Sequence, residues 1–282
     1  MLILHQRLLN KKTFGQQFKK EVIHKMIKWT SIADEEEKQF LKTLVTYSEK
    51  SERQYRMLWT CFYNREWMEE IIRKYNIQNT LNTYCFMGGY EYAERQIIVF
   101  GYDSFYMEMP ISVLKITVKT GIGKSLTHRD FLGALLALGI KRNMIGDILL
   151  KPFGAYVIVM KELSEFICCH LSGVGRYQKI AVEEILFSNM EVDPPQFKEC
   201  LTTVSSLRVD AIFAAAFGLS RSEVARYLQG DKGKVNGVLV TASHLMKVGD
   251  IGTLRGYGKM RLSAVNGTTK KDRLHITIEK YI

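Results

Sequence analysis

The sequence predicts an α+β protein with a helical N-terminal region, a ferredoxin-like (RRM-like) α+β middle domain and a small basic C-terminal unit. Three observations predict this class. Apolar residues recur at helical spacing before residue 80, and short β-type runs then alternate with helical runs. Two short capped helices and a glycine-rich β segment follow. The predicted regions are 1–80, 81–192, a linker at 193–204, 205–265 and a C-terminal β extension at 266–282.

The charge distribution predicts a polyanionic partner. The chain has 282 residues, enough for two or three domains, and its formal net charge of +11 is uneven. Residues 1–80 carry +5, residues 81–203 carry −1 and residues 204–282 carry +7. We therefore expect nucleic acid or an anionic membrane surface to be held mainly by the C-terminal end. The longest apolar run, 131–140, is far shorter than the ~20 residues of a spanning helix, so no membrane insertion is expected.

Cysteine and histidine spacing gives no indication of a metal or a disulfide framework. The five cysteines form no Cys-x-x-Cys pair, and the six histidines are scattered. The N-terminus has neither an adequate apolar region nor a small-residue cleavage site of a signal peptide. We expect reduced thiols, no metal, no cofactor and a cytoplasmic location.

The first eighty residues are predicted to be helical. Phe18, Val22 and Met26 recur at helical spacing, and the acidic run at 34–37 fits the first turn of a helix capped by Ser31. The pattern at 39–67 predicts one long helix or two shorter ones.

The middle of the chain changes to short strands and turns. The predicted strands are 81–87, 96–100, 112–120, 146–150, 155–160 and 178–184, with helices at 127–138 and 161–171. This alternation predicts a split βαβ arrangement of the kind that RNA-recognition domains use. Asp193-Pro194-Pro195 can continue neither a helix nor a central strand, so it marks the linker.

The C-terminal unit begins with two short helices. Ser205 or Ser206 is expected to cap the first, which ends at Gly218. Ser220-Arg221-Ser222-Glu223 is a capping box that begins the second helix. Backbone amides, hydroxyls and Arg221 at this N-terminus predict a phosphate site.

A β segment rich in tight turns follows the helices. Asn236-Gly237 is a hairpin signal, and Gly249-Asp250 predicts a second turn. The run from Arg255 to Arg261 then places three cations and Tyr257 on a glycine-rich strand. Because glycine flanks it on both sides, Tyr257 is expected to stack on a nucleobase.

The motifs LRVD, LSRSEVAR, KVNG, GD and RGYGK, in this order, resemble the αL RNA-binding module named after small-subunit ribosomal protein S-four. In that module the two helices and the following β-loop hold structured RNA. The usual approach to the turn is Gly-x-Val-x-Val-Asn-Gly, whereas residues 230–237 lack the first valine and run one residue longer, so this loop is expected to differ in shape. The resemblance implies RNA contacts by Arg208, Ser220, Arg221, Ser222, Arg226, Lys234, Asn236, Arg255, Tyr257, Lys259 and Arg261.

Upstream motifs extend the resemblance to a family. The runs at 86–90, 126–130, 138–142 and 146–148 are similar to the middle domain of YlmH proteins, and the similarity covers residues 80–265. The resemblance implies a non-enzymatic bacterial RNA-binding protein that recognises structured RNA, rRNA or tRNA. It further implies a place on the large ribosomal subunit, in ribosome-associated quality control of stalled peptidyl-tRNA, and the family is also linked to cell division. The oligomeric state is not indicated.

Two alternatives remain open from the sequence. The run His128-Arg129-Asp130 faintly resembles a stretch of pseudouridine synthases, so Asp130 is a candidate nucleophile of an RNA-modifying enzyme. The structural interpretation makes Thr127 a helix N-cap with Asp130 in the first turn. The other alternative is an adaptor, linked to cell division, whose basic face binds protein or anionic membrane. A candidate second RNA contact brackets the helix and consists of His128, Arg129, Lys141 and Arg142.

Overall fold

A computed structural model describes residues 27–101, 108–119 and 126–282 of the chain. The predicted helical pattern around Phe18 and Val22 lies outside the described residues. Two compact units are present: residues up to 65 with 71–192, and residues 66–70 with 193–282. Helices and antiparallel strands occur in both, so the predicted α+β class is confirmed.

The first helix begins at Asp34 rather than Ser31. Helix α1 spans Glu35–Gln54, and Asp34 Oδ1 accepts hydrogen bonds from the backbone N–H groups of Glu36 (2.8 Å) and Glu37 (3.2 Å). Aspartate is a strong N-cap because its carboxylate also interacts favourably with the positive end of the helix. The helix ends at Tyr55, which is left-handed with φ 48°.

Strands interrupt the region that was predicted to be helical. After α1 come β1 (Leu58–Trp59), β2 (Tyr63–Asn64) and α2 (Arg65–Lys74), then β3 (Tyr84–Met87) and β4 (Arg95–Phe100). Strand β4 pairs antiparallel with the other three. The predictions of a helix over 39–67 and of a helical region that ends at residue 80 are therefore wrong. Strands of two residues carry no periodicity of their own, and their pairing partner β4 lies far along the chain.

The ferredoxin-like topology begins near residue 111 rather than at 81. Its elements are β5 (Ile111–Val118), α3 (His128–Ala137), β6 (Ile145–Lys151), β7 (Gly154–Met160), α4 (Ser164–His170) and β8 (Ile180–Ile185). The strand order is β6-β7-β5-β8 with all pairs antiparallel, which is the βαββαβ arrangement. Both helices pack on one face, where Phe131, Leu135 and Ile167 are fully buried.

The opposite face of this sheet is also buried. Val113, Tyr156 and Ile158 project from it and pack against Phe62 and Val99 of the preceding β1–β4 sheet. Burial on two faces explains why β5 and β7 read as nearly continuous apolar runs rather than as an alternating pattern.

The second unit combines two helices with one antiparallel sheet. Its elements are β9 (Phe197–Val204), α5 (Val209–Phe217), α6 (Arg221–Gln229), β10 (Gly233–Val235), β11 (Val238–Leu239), β12 (Ile251–Leu254), β13 (Gly258–Thr268) and β14 (Leu274–Tyr281). The strand order is β11-β10-β12-β13-β14-β9. The helices bury Ile212, Phe213 and Val224 against Met260 and Leu262 of β13.

Most of the predicted linker at 193–204 is a strand. Strand β9 pairs with β14 along its whole length, from Phe197 opposite Tyr281 to Val204 opposite Leu274. The prediction of a linker there is wrong because Asp193-Pro194-Pro195 marks only its beginning. The mostly polar sequence of β9 gives little signal, and its partner is the last strand of the chain. The predicted C-terminal extension is the end of β13 together with β14, so it completes the same sheet.

Candidate nucleic-acid interface

A buried carboxylate holds two of the predicted RNA-binding arginines. Asp210, which is 6% exposed, lies in the first turn of α5. Its carboxylate accepts hydrogen bonds from Arg208 Nε at 3.1 Å and from an Arg221 guanidinium nitrogen at 2.8 Å. Burial raises the pKa of Asp210, but the hydrogen bonds and charges of the two arginines outweigh it, so the pKa lies below its usual value. The carboxylate therefore stays ionised and fixes both guanidinium groups.

The sequence motif that gave Arg208 its role also contains the anchor. Asp210 lies in the LRVD motif, but only Arg208 of that motif is predicted from the sequence to contact RNA. The available signal was the close spacing of Arg208 and Asp210 within that motif. Two residues apart at the same helix terminus, the Asp210 carboxylate can orient the Arg208 guanidinium.

The predicted capping box at the start of α6 is present, and it changes the expected phosphate site. Ser220 Oγ accepts from the Glu223 N–H at 3.2 Å, and Glu223 Oε2 accepts from the Ser220 N–H at 2.9 Å and from its hydroxyl at 2.7 Å. The bonds from the hydroxyl and amide of Ser220 lower the pKa of Glu223. A carboxylate thus occupies the position predicted for phosphate, and Ser222 Oγ lies 3.1 Å from Ser220 Oγ. The cations Arg221 and Arg226 of α6 are the remaining candidates at this helix.

Asn236 has a structural role in the turn that follows. Its φ is 47° and that of Gly237 is 75°, as a two-residue type I′ hairpin between β10 and β11 requires. The Asn236 Nδ2 donates to Asp250 Oδ1 at 2.8 Å, and its Oδ1 accepts from the Ile251 N–H at 2.9 Å. Hydrogen bonds therefore join the two turns that the sequence predicts, at Asn236-Gly237 and at Gly249-Asp250.

The cations of β13 lie on the other face of the sheet. Lys259 and Arg261 alternate with Met260 and Leu262, which are fully buried against the helices. Lys234 is in register with a residue of β12 that is itself in register with Lys259, so it shares this outer face. The structure therefore separates these three cations from Arg208 and Arg221.

Carboxylates partner both β13 cations. Lys259 Nζ lies 2.7 Å from a carboxylate oxygen of Glu66, which groups with the C-terminal unit. Arg261 Nε donates to Glu279 at 2.8 Å, and a second guanidinium nitrogen of Arg261 contacts the same oxygen. A phosphate would have to compete with these ion pairs, and the Lys259 side chain is only 16% exposed, against 39% for Arg208 and 50% for Arg221, so Lys259 is the weaker candidate.

Arg255 and Tyr257 lie in an exposed turn between β12 and β13. The Tyr257 N–H donates to the Leu254 carbonyl at 2.9 Å, which closes the turn, and the Arg255 N–H donates to the Lys232 carbonyl at 2.8 Å. The turn is thereby held against the loop after α6. Arg221 and Arg226 of the second helix and Arg255 and Tyr257 of this turn thus lie in one small unit. All four are exposed to solvent.

The candidate second RNA contact is only partly available. One Arg142 guanidinium nitrogen donates to the Ile145 carbonyl at 2.6 Å, and burial lowers the pKa of Arg142. Arg142 therefore supports the backbone, while His128, Arg129 and Lys141 are exposed.

Asp130 completes the capping box of α3, whose N-cap is Thr127. Its Oδ2 accepts from both the N–H and the hydroxyl of Thr127, each at 2.7 Å. This geometry agrees with the interpretation of Thr127 as the N-cap and Asp130 as a first-turn residue. To act as a nucleophile, the Asp130 carboxylate would have to break these two hydrogen bonds.

The middle domain cannot use its sheet as RNA-recognition domains do. Those domains stack bases on aromatic residues of the sheet face that carries no helices. Here that face is covered by Phe62 and its neighbours, and Tyr156 on it is buried.

The described part of the chain holds neither a candidate metal cluster nor a membrane-spanning helix. Within residues 27–101, 108–119 and 126–282, no cluster of three His, Cys, Asp or Glu side chains could hold a metal ion. None of the helices in these same ranges has the length and apolar character needed to cross a membrane.

Known proteins resemble the chain in sequence. The family model described as "Putative RNA-binding domain in YlmH" matches residues 108–189, which include the whole ferredoxin-like domain. "Ribosome-associated protein quality control protein P2" of Bacillus subtilis (strain 168) is 29% identical over 248 residues, which cover 87% of this chain and 95% of that protein. A solved structure, "Cell division protein ylmH from Streptococcus pneumoniae", superposes with a TM-score of 0.42 at 21% identity, over 56% of this chain and 96% of that one.

Proposed function

We propose that the chain is a non-enzymatic protein of the YlmH family that binds structured RNA through its C-terminal unit. The RNA is rRNA or tRNA on the large ribosomal subunit, and the role is quality control of ribosomes that carry stalled peptidyl-tRNA. The name of the Bacillus subtilis relative supports this role. A cytoplasmic location follows from it.

The Arg208–Asp210–Arg221 group is the observation that carries the proposal. Arg208 is 39% exposed and Arg221 is 50% exposed, so each guanidinium keeps N–H groups directed to solvent while Asp210 fixes its position. A planar guanidinium forms paired hydrogen bonds with phosphate oxygens. Because both side chains are already ordered, binding costs less conformational entropy than it would for mobile arginines.

The charge of the unit supports a nucleic acid as partner. Residues 204–282 carry a net charge of +7, and Arg226 and Arg255 of the same unit are exposed. Phosphate contacts fix the orientation of a protein on RNA without specifying its sequence. We therefore propose recognition of RNA shape, with Arg208, Arg221, Arg226 and Arg255 as the phosphate contacts.

The salt dependence of binding tests the proposal. The full chain is titrated with a fluorescent rRNA hairpin at several salt concentrations, as wild type and with Arg221→Gln plus Arg226→Gln. Log affinity should fall with log salt by roughly 0.7–0.9 per phosphate neutralised. The double variant should flatten that slope by about two units, one for each lost contact.

A matched control separates these contacts from charge alone. Lys270→Gln plus Lys271→Gln removes two positive charges from exposed positions in the turn between β13 and β14, and it should leave the slope nearly unchanged. Equal slopes for wild type and the double variant would show that the α6 arginines do not contact phosphate.

Two further measurements address the finer parts of the proposal. Co-sedimentation with separated ribosomal subunits should recover the chain with the large subunit, and recovery with only the small one contradicts that assignment. Incubation with bulk RNA should yield no modified nucleoside. A product that disappears in Asp130→Ala would instead establish the RNA-modifying alternative.

A further inference from the structure

An aromatic cluster lies beside the proposed phosphate contacts. It consists of Phe217 at the end of α5, Tyr227 of α6 and Tyr257 of the turn after β12, and we call it the tyrosine platform. The hydroxyl oxygens of Tyr227 and Tyr257 are 3.0 Å apart, and their ring centroids are 5.3 Å apart at an interplanar angle of 73°. The Phe217 ring centroid lies 6.2 Å from that of Tyr257.

The platform is fixed without being buried. Tyr257 is 39% exposed, and the φ values of Gly256 and Gly258 on either side are 92° and 116°. Glycine at both positions leaves the backbone around the ring free of side chains. The hydroxyl pair and the edge-to-face contact hold the Tyr257 ring in one place. The residues that α6 contributes to the buried core of the unit are different ones, Val224 and Leu228.

Cations flank the platform on two sides. Lys232 Nζ lies 5.4 Å from the centroid of the Tyr227 ring, and Lys280 Nζ lies 5.6 Å from that of Phe217. The bond from the Arg255 N–H to the Lys232 carbonyl holds the turn that carries Arg255 and Tyr257 against the loop that carries Lys232. An exposed ring in a cluster that cations contact is suited to a base whose own phosphates lie close by.

We propose that the tyrosine platform binds one unpaired nucleotide of the structured RNA, with its base stacked on Tyr257 and its phosphates near Lys232 and Arg255. This rests on the proposed function, because the platform needs the α6 arginines to bring RNA to it. A paired base in an A-form helix already has neighbours on both faces and cannot reach a protein ring. The nucleotide must therefore come from a bulge, a loop or an end.

The test compares two RNAs that differ by one nucleotide. The full chain is titrated with a blunt-ended RNA duplex that carries a single-nucleotide bulge and with the same duplex fully paired, so that neither RNA has a loop. Stacking on an aromatic residue contributes about 5- to 150-fold in affinity per base. Tyr257→Leu should weaken binding of the bulged RNA within that range, leave the paired RNA unchanged and leave the salt slope unchanged. Tyr257→Phe keeps the ring and should retain most of the affinity.

A matched control and a second measurement keep the test independent of folding. Tyr92→Leu alters a tyrosine that is 42% exposed in the other unit, and it should affect neither RNA. In the wild-type chain, 4-thiouridine at the bulge should crosslink to the peptide that contains Tyr257.

The outcomes separate the platform from the wider function. If Tyr257→Leu weakened binding of both RNAs equally, or if no crosslink formed at Tyr257, the tyrosine platform would be wrong. The proposed function would still stand in that case, provided that the α6 arginine variants flatten the salt slope. If the chain bound neither duplex at any salt concentration, the proposed function itself would fail.

Discussion

Replacing Asp210 with asparagine should destabilise the helical part of the C-terminal unit by about 2 kcal/mol. The amide puts an NH₂ group in place of one carboxylate oxygen, next to guanidinium donors that now approach at 2.8–3.2 Å. Removing one partner of a buried ion pair costs about 3–5 kcal/mol, and exposed pairs contribute about 0.2–1 kcal/mol. The carboxylate is buried, but Arg208 and Arg221 can turn into water, so the expected loss lies between these values.

The sign of the pH dependence follows from the lowered pKa of Asp210. A carboxyl group whose pKa is lower in the folded state adds stability above its unfolded pKa of about 3.9. That stability is lost as the pH falls through the folded pKa, because the protonated group no longer attracts the arginines. The difference between wild type and Asp210→Asn should therefore be full at pH 6, begin to shrink below about pH 3.9 and disappear only below the lowered folded pKa of Asp210.

Amide hydrogen exchange of α5 and α6 in the full chain measures this difference residue by residue. Asp231→Asn is the matched control: it makes the same charge change at an exposed residue with φ 54°, a conformation that asparagine also adopts. It should alter exchange in the helices by no more than a few tenths of a kcal/mol. A difference for Asp210→Asn that persists undiminished at pH 3 would refute the ion-pair argument.

Two packing predictions follow from the same structure. A Cβ at Gly252 would lie 2.4 Å from a ring carbon of Phe213. Gly252→Ala should therefore lower the free energy of opening of β12, measured by amide exchange, by about 1–3 kcal/mol. The control Gly133→Ala in α3 has open space for its Cβ and should stabilise that helix by up to about 1 kcal/mol. Phe62→Ala removes a fully buried ring between the first two sheets and should lower the free energy of urea unfolding, followed by tryptophan fluorescence, by about 3–5 kcal/mol. A loss below 1 kcal/mol would show that Phe62 does not cover the sheet.

Features with local causes were predictable from the sequence. The capping box needs only Ser220 and Glu223 three residues apart, and the hairpin needs only the left-handed backbone that Asn236-Gly237 favours. Strand β9 was missed because its pairing partner is at the other end of the unit. The outer position of Lys259 and Arg261 could have been found, since strict alternation with buried Met260 and Leu262 places them on the opposite face.

The buried sheet of the ferredoxin-like domain determines where RNA can bind this chain. A family model named for RNA binding matches this domain, yet Tyr156 and Ile158 of its helix-free face are covered. Exposing that face for base stacking would require the removal of Phe62, a fully buried side chain, at a cost of several kcal/mol. Stacking on protein therefore has to occur elsewhere, and the C-terminal unit provides the exposed ring of Tyr257, which contacts Tyr227, whose ring has Lys232 Nζ 5.4 Å from its centroid. The exposed helix end of the middle domain, with His128, Arg129 and Lys141, offers phosphate contacts, which do not depend on a free sheet face.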